Sequence, residues 1–273
     1  MKNVGKFALI LGIIFIVSGV ASSLLFFASF DWNNFDNSDY FGQVINSTVI
    51  DSQNINQIKL DFTAEDIVIE KIEGSQFMFN LSGYYPESGS GEYPELRISN
   101  NKGNVYVNVN YPQKRYIFGI NSRDAKLYVG VPENYNGDFY IEDVSGEVLV
   151  KNVGLSNFYL NTISGDIKIY DSQFHDGNLD CVSGDIYFEN TSGINYAKSV
   201  SGNIKGLNFC AEANSKFESI SGDVNINLIG SCSIDLDFES VSGNLKNNFG
   251  EIYYGENKIY VDTTSGNLVI NRL

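Results

Sequence analysis

Three aspartates, Asp166, Asp185 and Asp223, each follow a Ser-Gly pair, and Glu147, Asn203, Asn244 and Asn267 follow four more. Stacked at the roughly 4.8 Å spacing of neighbouring strands, such residues would make a line of oxygen ligands of the kind calcium prefers. The competing reading is turn chemistry. An Asp or Asn just past a glycine bonds the local backbone and shapes a corner. The neutral amides in the column, and the absence of the glycine-dense nonapeptide of calcium-binding β-rolls, favour the turn.

His175 is the single histidine, and Asp176 follows it. Neighbours in a strand point to opposite faces, and Ser172 to Gly177 reads as a loop. A catalytic triad needs a nucleophile and a positioned carboxylate as well. The repeated serines do not lie in a Gly-x-Ser-x-Gly elbow, so no catalytic residue, cofactor or metal site is expected. Tyr140 and Tyr159 hold equivalent positions in successive repeats and should face outward. Two adjacent exposed rings can stack on sugars, or simply pair with each other across strands. Asn46, Asn80 and Asn190 each begin an Asn-x-Ser/Thr sequon, open to glycosylation outside a cell. Cys181, Cys210 and Cys232 form no CxxC pair. Cys210 and Cys232 fall at similar places in adjacent repeats, which allows one disulfide; three small unbonded thiols are the alternative.

The elements that must hold these residues come from a repeat. Ser145-Gly146, Ser164-Gly165, Ser183-Gly184, Ser201-Gly202, Ser221-Gly222, Ser242-Gly243 and Ser265-Gly266 recur at intervals of 18 to 23 residues. Apolar residues stand four and one before the glycine-preceding serine, as in Ile141 and Val144 or Leu160 and Ile163. Another, such as Val148 or Ile167, stands three after it, and alternation then continues through Ile167-Lys168-Ile169. Period two marks strands, and the break at Ser-Gly marks a bend. Glycine belongs there if φ is positive or another backbone comes close. A single repeat buries too little to fold alone, so the repeats must stack. Helical repeats are the competitor. The wealth of Val, Ile, Phe, Tyr and Asn, with a glycine in every repeat, argues against them. The fold class expected is all-β: a parallel β-solenoid of about 19–23-residue coils over residues 51–273, behind one N-terminal transmembrane helix.

Within that domain, residues 133–273 carry the regular repeats. Residues 51–132 hold longer strands, such as Ile58 to Phe62 and Val105 to Val109, read as irregular coils closing one end. Residues 31–50 read as a polar linker. The far end finishes on Asn267 to Ile270, either blunted by Asn271 and Arg272 or covered by another molecule, since an open terminal coil invites self-association.

Acidic residues outnumber basic ones 33 to 18, for a net charge of −15, and every acid lies at or beyond Asp31. Such a surface repels nucleic acid, which is excluded as a partner. Lys2 and Lys6 precede an uncharged apolar run, residues 7–30. As a helix it would reach about 36 Å, enough for a bilayer core of about 30 Å. The flanking charges predict an inside N-terminus and an extracellular C-terminal domain. A cleaved signal ending near Gly19-Val20-Ala21 is the rival; the run through Leu24 to Phe27 is long for one. No cysteine near the segment means no bacterial lipoprotein.

Leu127 to Pro132, then Phe139 to Val148, then serial Val/Ile-Ser-Gly-Asp/Asn-Ile resemble the adhesin-like DUF4097-type domain, over roughly residues 50–273. That resemblance implies a β-solenoid outside a prokaryotic cell, often membrane-anchored, with no established enzymatic activity and no catalytic motif to carry over. Some relatives in such a family are linked to envelope stress responses. The functional expectation is therefore a surface module that binds cell-wall glycan or supports the envelope through many weak, repeated contacts. Two alternatives remain: an accessory to envelope stress sensing with a membrane protein as partner, and a polysaccharide-acting enzyme, which would be analogy from fold alone.

Overall fold

The Ser-Gly bend splits each repeat into one long and one short strand, and the two strands enter different sheets. The computed structural model describes residues 41–86, 92–111, 123–229, 234–248 and 257–272, which belong to one compact unit. The strands begin with β1 (Phe41–Asp51), β2 (Gln57–Asp61), β3 (Asp66–Ile72), β4 (Gln76–Pro86), β5 (Glu95–Asn101), β6 (Asn104–Asn110) and β7 (Arg123–Pro132). The regular coils follow as β8 (Asp138–Ser145), β9 (Val148–Lys151), β10 (Gly154–Ser164), β11 (Ile167–Tyr170), β12 (Gln173–Ser183), β13 (Ile186–Glu189) and β14 (Ser192–Ser201). The last are β15 (Ile204–Phe209), β16 (Ser215–Ser221), β17 (Val224–Leu228), β18 (Ile234–Ser242), β19 (Leu245–Asn247), β20 (Asn257–Ser265) and β21 (Leu268–Arg272).

Among the described residues, one sheet has eleven strands in the order β1-β4-β7-β3-β9-β11-β13-β15-β17-β21-β19. The other has ten, in the order β18-β20-β16-β14-β12-β10-β8-β2-β6-β5. Neighbouring coils pair in parallel with their corners aligned: Ser164 sits opposite Ser145 and Ser183, and Ser201 opposite Ser183 and Ser221. Alternate residues of both sheets, such as Phe139, Ile141, Val148 and Val150, are buried in one continuous core. The all-β, solenoid-like architecture is as the repeat requires.

Stacking order departs from chain order at both ends. After β17 the chain steps outward to β18 and β19, then returns so that β20 and β21 slot in between, pairing with β16 and β17 on one side and β18 and β19 on the other. The terminal coil is therefore 234–247, and the expectation that Asn271 and Arg272 blunt the end is wrong. The inserted coil is the better covered: Ile259, Val261, Leu268 and Ile270 are fully buried, whereas Leu245, which pairs with Leu268, is exposed in the outer coil. A coil covered on both sides gains more from apolar inward positions.

The opposite end is built the same way. β2 and β3 form a regular coil, β6 and β7 stack on it in parallel, and β4 and β5 lie farther out. β4 runs antiparallel to β7, β5 antiparallel to β6, and β1 antiparallel to β4. Residues 51–132 are thus one regular coil plus a largely antiparallel end piece rather than irregular coils throughout. Residues 41–50, expected in the linker, belong to β1. Residues 7–30 lie outside the described residues; among the described residues no helix is long and apolar enough to cross a membrane.

Candidate functional site

Strand alternation carries straight into the corner, which reverses one sequence expectation. The apolar residue before each serine points outward: Val144, Ile163 and Val241 are exposed. The small polar residue before it points inward, and Asp143, Thr162, Ser199, Ser219, Thr263 and the thiol of Cys181 are buried. Buried hydroxyls need partners, and for Ser199, Ser219 and Cys181 the neighbouring coil supplies them; Thr263 bonds the Gly266 carbonyl of its own corner, and Thr162 Oγ1 has no partner. Ser199 Oγ donates to the Gly184 carbonyl at 3.0 Å, Ser219 Oγ to the Gly202 carbonyl at 3.1 Å, and Cys181 Sγ to the Gly165 carbonyl at 3.5 Å. Those carbonyls are reachable because the glycines stack in close contact. A Cβ placed on Gly165, Gly184, Gly202, Gly222 or Gly266 would lie 2.0–2.2 Å from the carbonyl oxygen of the glycine below. Close approach, rather than backbone handedness, is what most of these positions require.

Past the glycine, the Asx column forms a second ladder. Asp166 Oδ1 accepts the N–H of Asp185 at 3.0 Å, and Asp185 Oδ1 accepts the N–H of Asn203 at 2.7 Å. Asn203 Oδ1 accepts from Asp223 at 2.9 Å, and Asp223 Oδ1 from Asn267 at 2.8 Å. One oxygen of Asp166, Asp185 and Asp223 is thus bound to the next coil's backbone, rather than to the local backbone of its own turn. Among the described residues no group of three or more His, Cys, Asp or Glu side chains is placed to hold a metal ion.

A third ladder, unforeseen from sequence, closes the far end of the short strands. Asn152, Asp171, Asn190 and Asn208 all adopt the left-handed region, with φ between 49° and 56°. Asn190 Nδ2 donates to Asp171 Oδ1 and Asn208 Nδ2 to Asn190 Oδ1, each at 2.8 Å. The signal was present: Asn or Asp stands six residues after the glycine in four consecutive repeats. Asn is among the few residues other than glycine that visit this conformation readily. Replacing Asn190 by Ala is expected to cost about 1–2 kcal/mol, because a strained φ remains and two ladder bonds vanish. Urea unfolding checks it, and Asn190→Gly should recover part of the loss.

Tyr140 and Tyr159 stack on one another, with centroids 4.9 Å apart and planes 12° from parallel. Each ring covers one face of the other, and Tyr159 Oη donates to Asp176 at 2.9 Å. His175 is exposed and lies in β12, not in a loop. Asp176 beside it accepts from Tyr159, Asn178 and Asn195. The sequon residue Asn190 belongs to the corner ladder, with Thr191 and Ser192 buried. Asn46 lies in β1 and Asn80 in β4, where its side-chain oxygen is buried. Cys232 lies outside the described residues, and with it the pairing to Cys210. Burial pushes the Cys181 thiol up to about 11.

Along the outer face beside the Asx ladder runs an open trough of about 550 Å³. Its walls repeat from coil to coil. Asp166, Asp185, Asn203 and Asp223 lie on one side; Lys168, Tyr187, Lys205 and Asn225 occupy one register row across β11, β13, β15 and β17. Lys168 pairs with Glu147, which holds its ammonium above the usual lysine range. Lys205 lies over the Tyr187 ring, 5.6 Å from its centroid. Carboxylate, ammonium, phenol and amide groups are thus offered in a row at strand spacing.

The Toastrack DUF4097 family model matches residues 55–271. The chain belongs to this family. Solved structures similar to this Toastrack chain include a candidate cell adhesion protein from Clostridium sporogenes, 13% identical, covering 85% of this chain and 100% of that one, with a TM-score of 0.43. A candidate adhesin from Bacteroides fragilis is 12% identical over 83% of this chain and 97% of its own, with a TM-score of 0.43. A candidate lipid binding protein from Parabacteroides distasonis is 12% identical over 84% and 96%, with a TM-score of 0.29. No curated protein matches the sequence. The Toastrack assignment agrees with the resemblance carried by the serial Ser-Gly-Asx corners.

Proposed function

We propose that this Toastrack protein is a non-enzymatic, adhesin-like module on the cell exterior, held to the membrane through residues 7–30 with its N-terminus inside. It binds a polyhydroxylated polymer of the envelope, of the cell-wall glycan class, along the trough. The observation that carries this reading is that hydrogen-bonding side chains recur in register over four coils. A repeating ligand can engage such a surface several times, and weak contacts then multiply. The net charge of −15 suits a neutral or cationic polymer better than a polyanion.

Retention of the full chain on insoluble cell-wall polymer tests the proposal. The double variant Lys168→Ala, Lys205→Ala is expected to bind about tenfold more weakly or worse, equivalent to ~1.4 kcal/mol. Its folding should be little changed, because exposed ion pairs contribute only about 0–1 kcal/mol. No retention on any envelope polymer, or retention untouched by the double variant, rejects the trough as the binding surface. Self-association belongs to the same proposal only through coil 234–247, whose outward Asp237 and Glu239 set like charge against like.

A further inference from the structure

The corner ladder contains one member of the wrong chemical kind. Asp143 occupies the inward position that Thr162, Cys181, Ser199 and Ser219 hold in the following coils. Its geometry is theirs. Asp143 Oδ2 lies 3.3 Å from a Cβ built on Gly146, as Cys181 Sγ lies 3.3 Å from one on Gly184 and Ser219 Oγ 3.1 Å from one on Gly222. The carbonyl below it belongs to Glu65, which stands where later coils have glycine. That oxygen is 2.3 Å from the same Gly146 Cβ, against 2.2 Å for the Gly165 carbonyl beneath Gly184. The thiol of Cys181 and the hydroxyls of Ser199 and Ser219 donate to the carbonyl below, while Thr162 Oγ1 makes no hydrogen bond. A carboxylate has nothing to donate. Asp143 is 95% buried by its 5% exposure, and neither of its side-chain oxygens has a hydrogen-bond partner.

We propose that Asp143 is a neutral carboxylic acid in the folded protein, donating to the Glu65 carbonyl, and that its ionisation loosens the joint between coil 57–72 and the coils above. The surroundings agree. The charged groups that bear on it are the Glu65 and Asp66 carboxylates of the first corner, while β10 presents the uncharged Thr162. Glu65 is fully buried, and its carboxylate accepts from Tyr85, Tyr111 and the N–H groups of Thr63 and Ala64. Burial, then the nearby Glu65, pushes the Asp143 carboxyl from 3.8 up to about 7. The N–H groups of Val144 and Ser145 pull the other way, but that of Ser145 is already given to the Thr63 carbonyl at 3.0 Å. Bonds that cross this joint at the corner include Ser145 N–H to Thr63, Phe62 N–H to the Glu142 carbonyl, Glu147 N–H to Asp66 Oδ1 and Ile67 N–H to the Glu147 carbonyl.

The sign of the effect follows from linkage. The folded state holds the Asp143 proton more tightly than the unfolded chain does, so this residue's contribution falls as pH rises from about 4 to about 7 and is flat above. Melting of the full chain is compared with Asp143→Asn and Asp143→Thr, both neutral and both able to donate. The variants should melt close to wild type near pH 4. A gap of roughly 5–10 °C in their favour should open by pH 7 and then level off. A gap independent of pH overturns the proposal. Hydrogen exchange on the wild-type chain gives a second reading that needs no variant. Protection at Ile67, Ser145 and Glu147 should drop through about pH 7 relative to Ile167 and Ile186. Protection that stays in step with those inner amides overturns it equally.

Discussion

Gly202→Ala is expected to destabilise the protein by about 3–5 kcal/mol. The added Cβ would lie 2.0 Å from the Gly184 carbonyl oxygen and 2.9 Å from Ser199 Oγ. Neither contact can relax cheaply. The Gly184 carbonyl accepts from Ser199, and both coils are held by parallel pairing on either side of the corner. The φ of Gly202 lies outside the left-handed region, so the cost measures close approach alone. Gly154→Ala is the matched control. Nothing lies within 4 Å of its Cβ, and its change should stay within about 0.5 kcal/mol. Urea unfolding of the two variants decides the matter. Equal stabilities would mean that the coils do not stack through their glycines.

Glu65→Ala is expected to cost a similar amount, roughly 3–5 kcal/mol, for a different reason. The side chain is fully buried and gathers four donors: the hydroxyls of Tyr85 and Tyr111 and two backbone N–H groups. Removing it withdraws the shared acceptor and leaves a cavity. Glu65→Gln keeps the volume and part of the acceptor capacity, so its loss should be about half as large. Tyr85→Phe removes one donor and should cost about 1–2 kcal/mol. Calorimetric midpoints of the three variants should fall in that order. A Glu65→Ala protein as stable as wild type would show that this carboxylate does not tie the first coil to β4.

Both predictions concern the same corner, seen at an interior coil and at the first coil. In the interior, glycine lets one backbone rest on the next. At the first coil the strands farther out, β6 and β7, are not joined by a Ser-Gly corner, and a buried Glu takes the place of glycine. That substitution places Asp143 above a carboxylate-bearing residue rather than above a bare glycine. The proposed trough lies on the face beside these corners, so the ladders that hold the coils in register also set the spacing of its binding groups. A change that slips one coil would move Lys168 and Lys205 relative to the Asp column.

The amino-acid sequence alone determined the repeat, the strand periods, the bend at Ser-Gly and the alignment of like residues in columns. These are local or nearest-neighbour consequences: alternation places Ile167 and Ile169 on one face whatever lies farther away. It also carried the family, through serial copies of one corner. What it did not disclose depends on partners distant in the chain. That Val144 faces water while Asp143 is buried follows from continuing β8 one residue further than the apolar pattern suggests, and it becomes stable only because another coil offers a carbonyl. Glu65 looks like any surface acid until Tyr85 and Tyr111 are brought onto it. The coil 257–272 slots inside 234–247, although both coils offer apolar inward residues, Ile259, Val261, Leu268 and Ile270 in one and Ile234, Leu236, Phe238 and Leu245 in the other. Only the tertiary structure decides such an order, since two coils of the same local pattern differ in energy through what covers each of them.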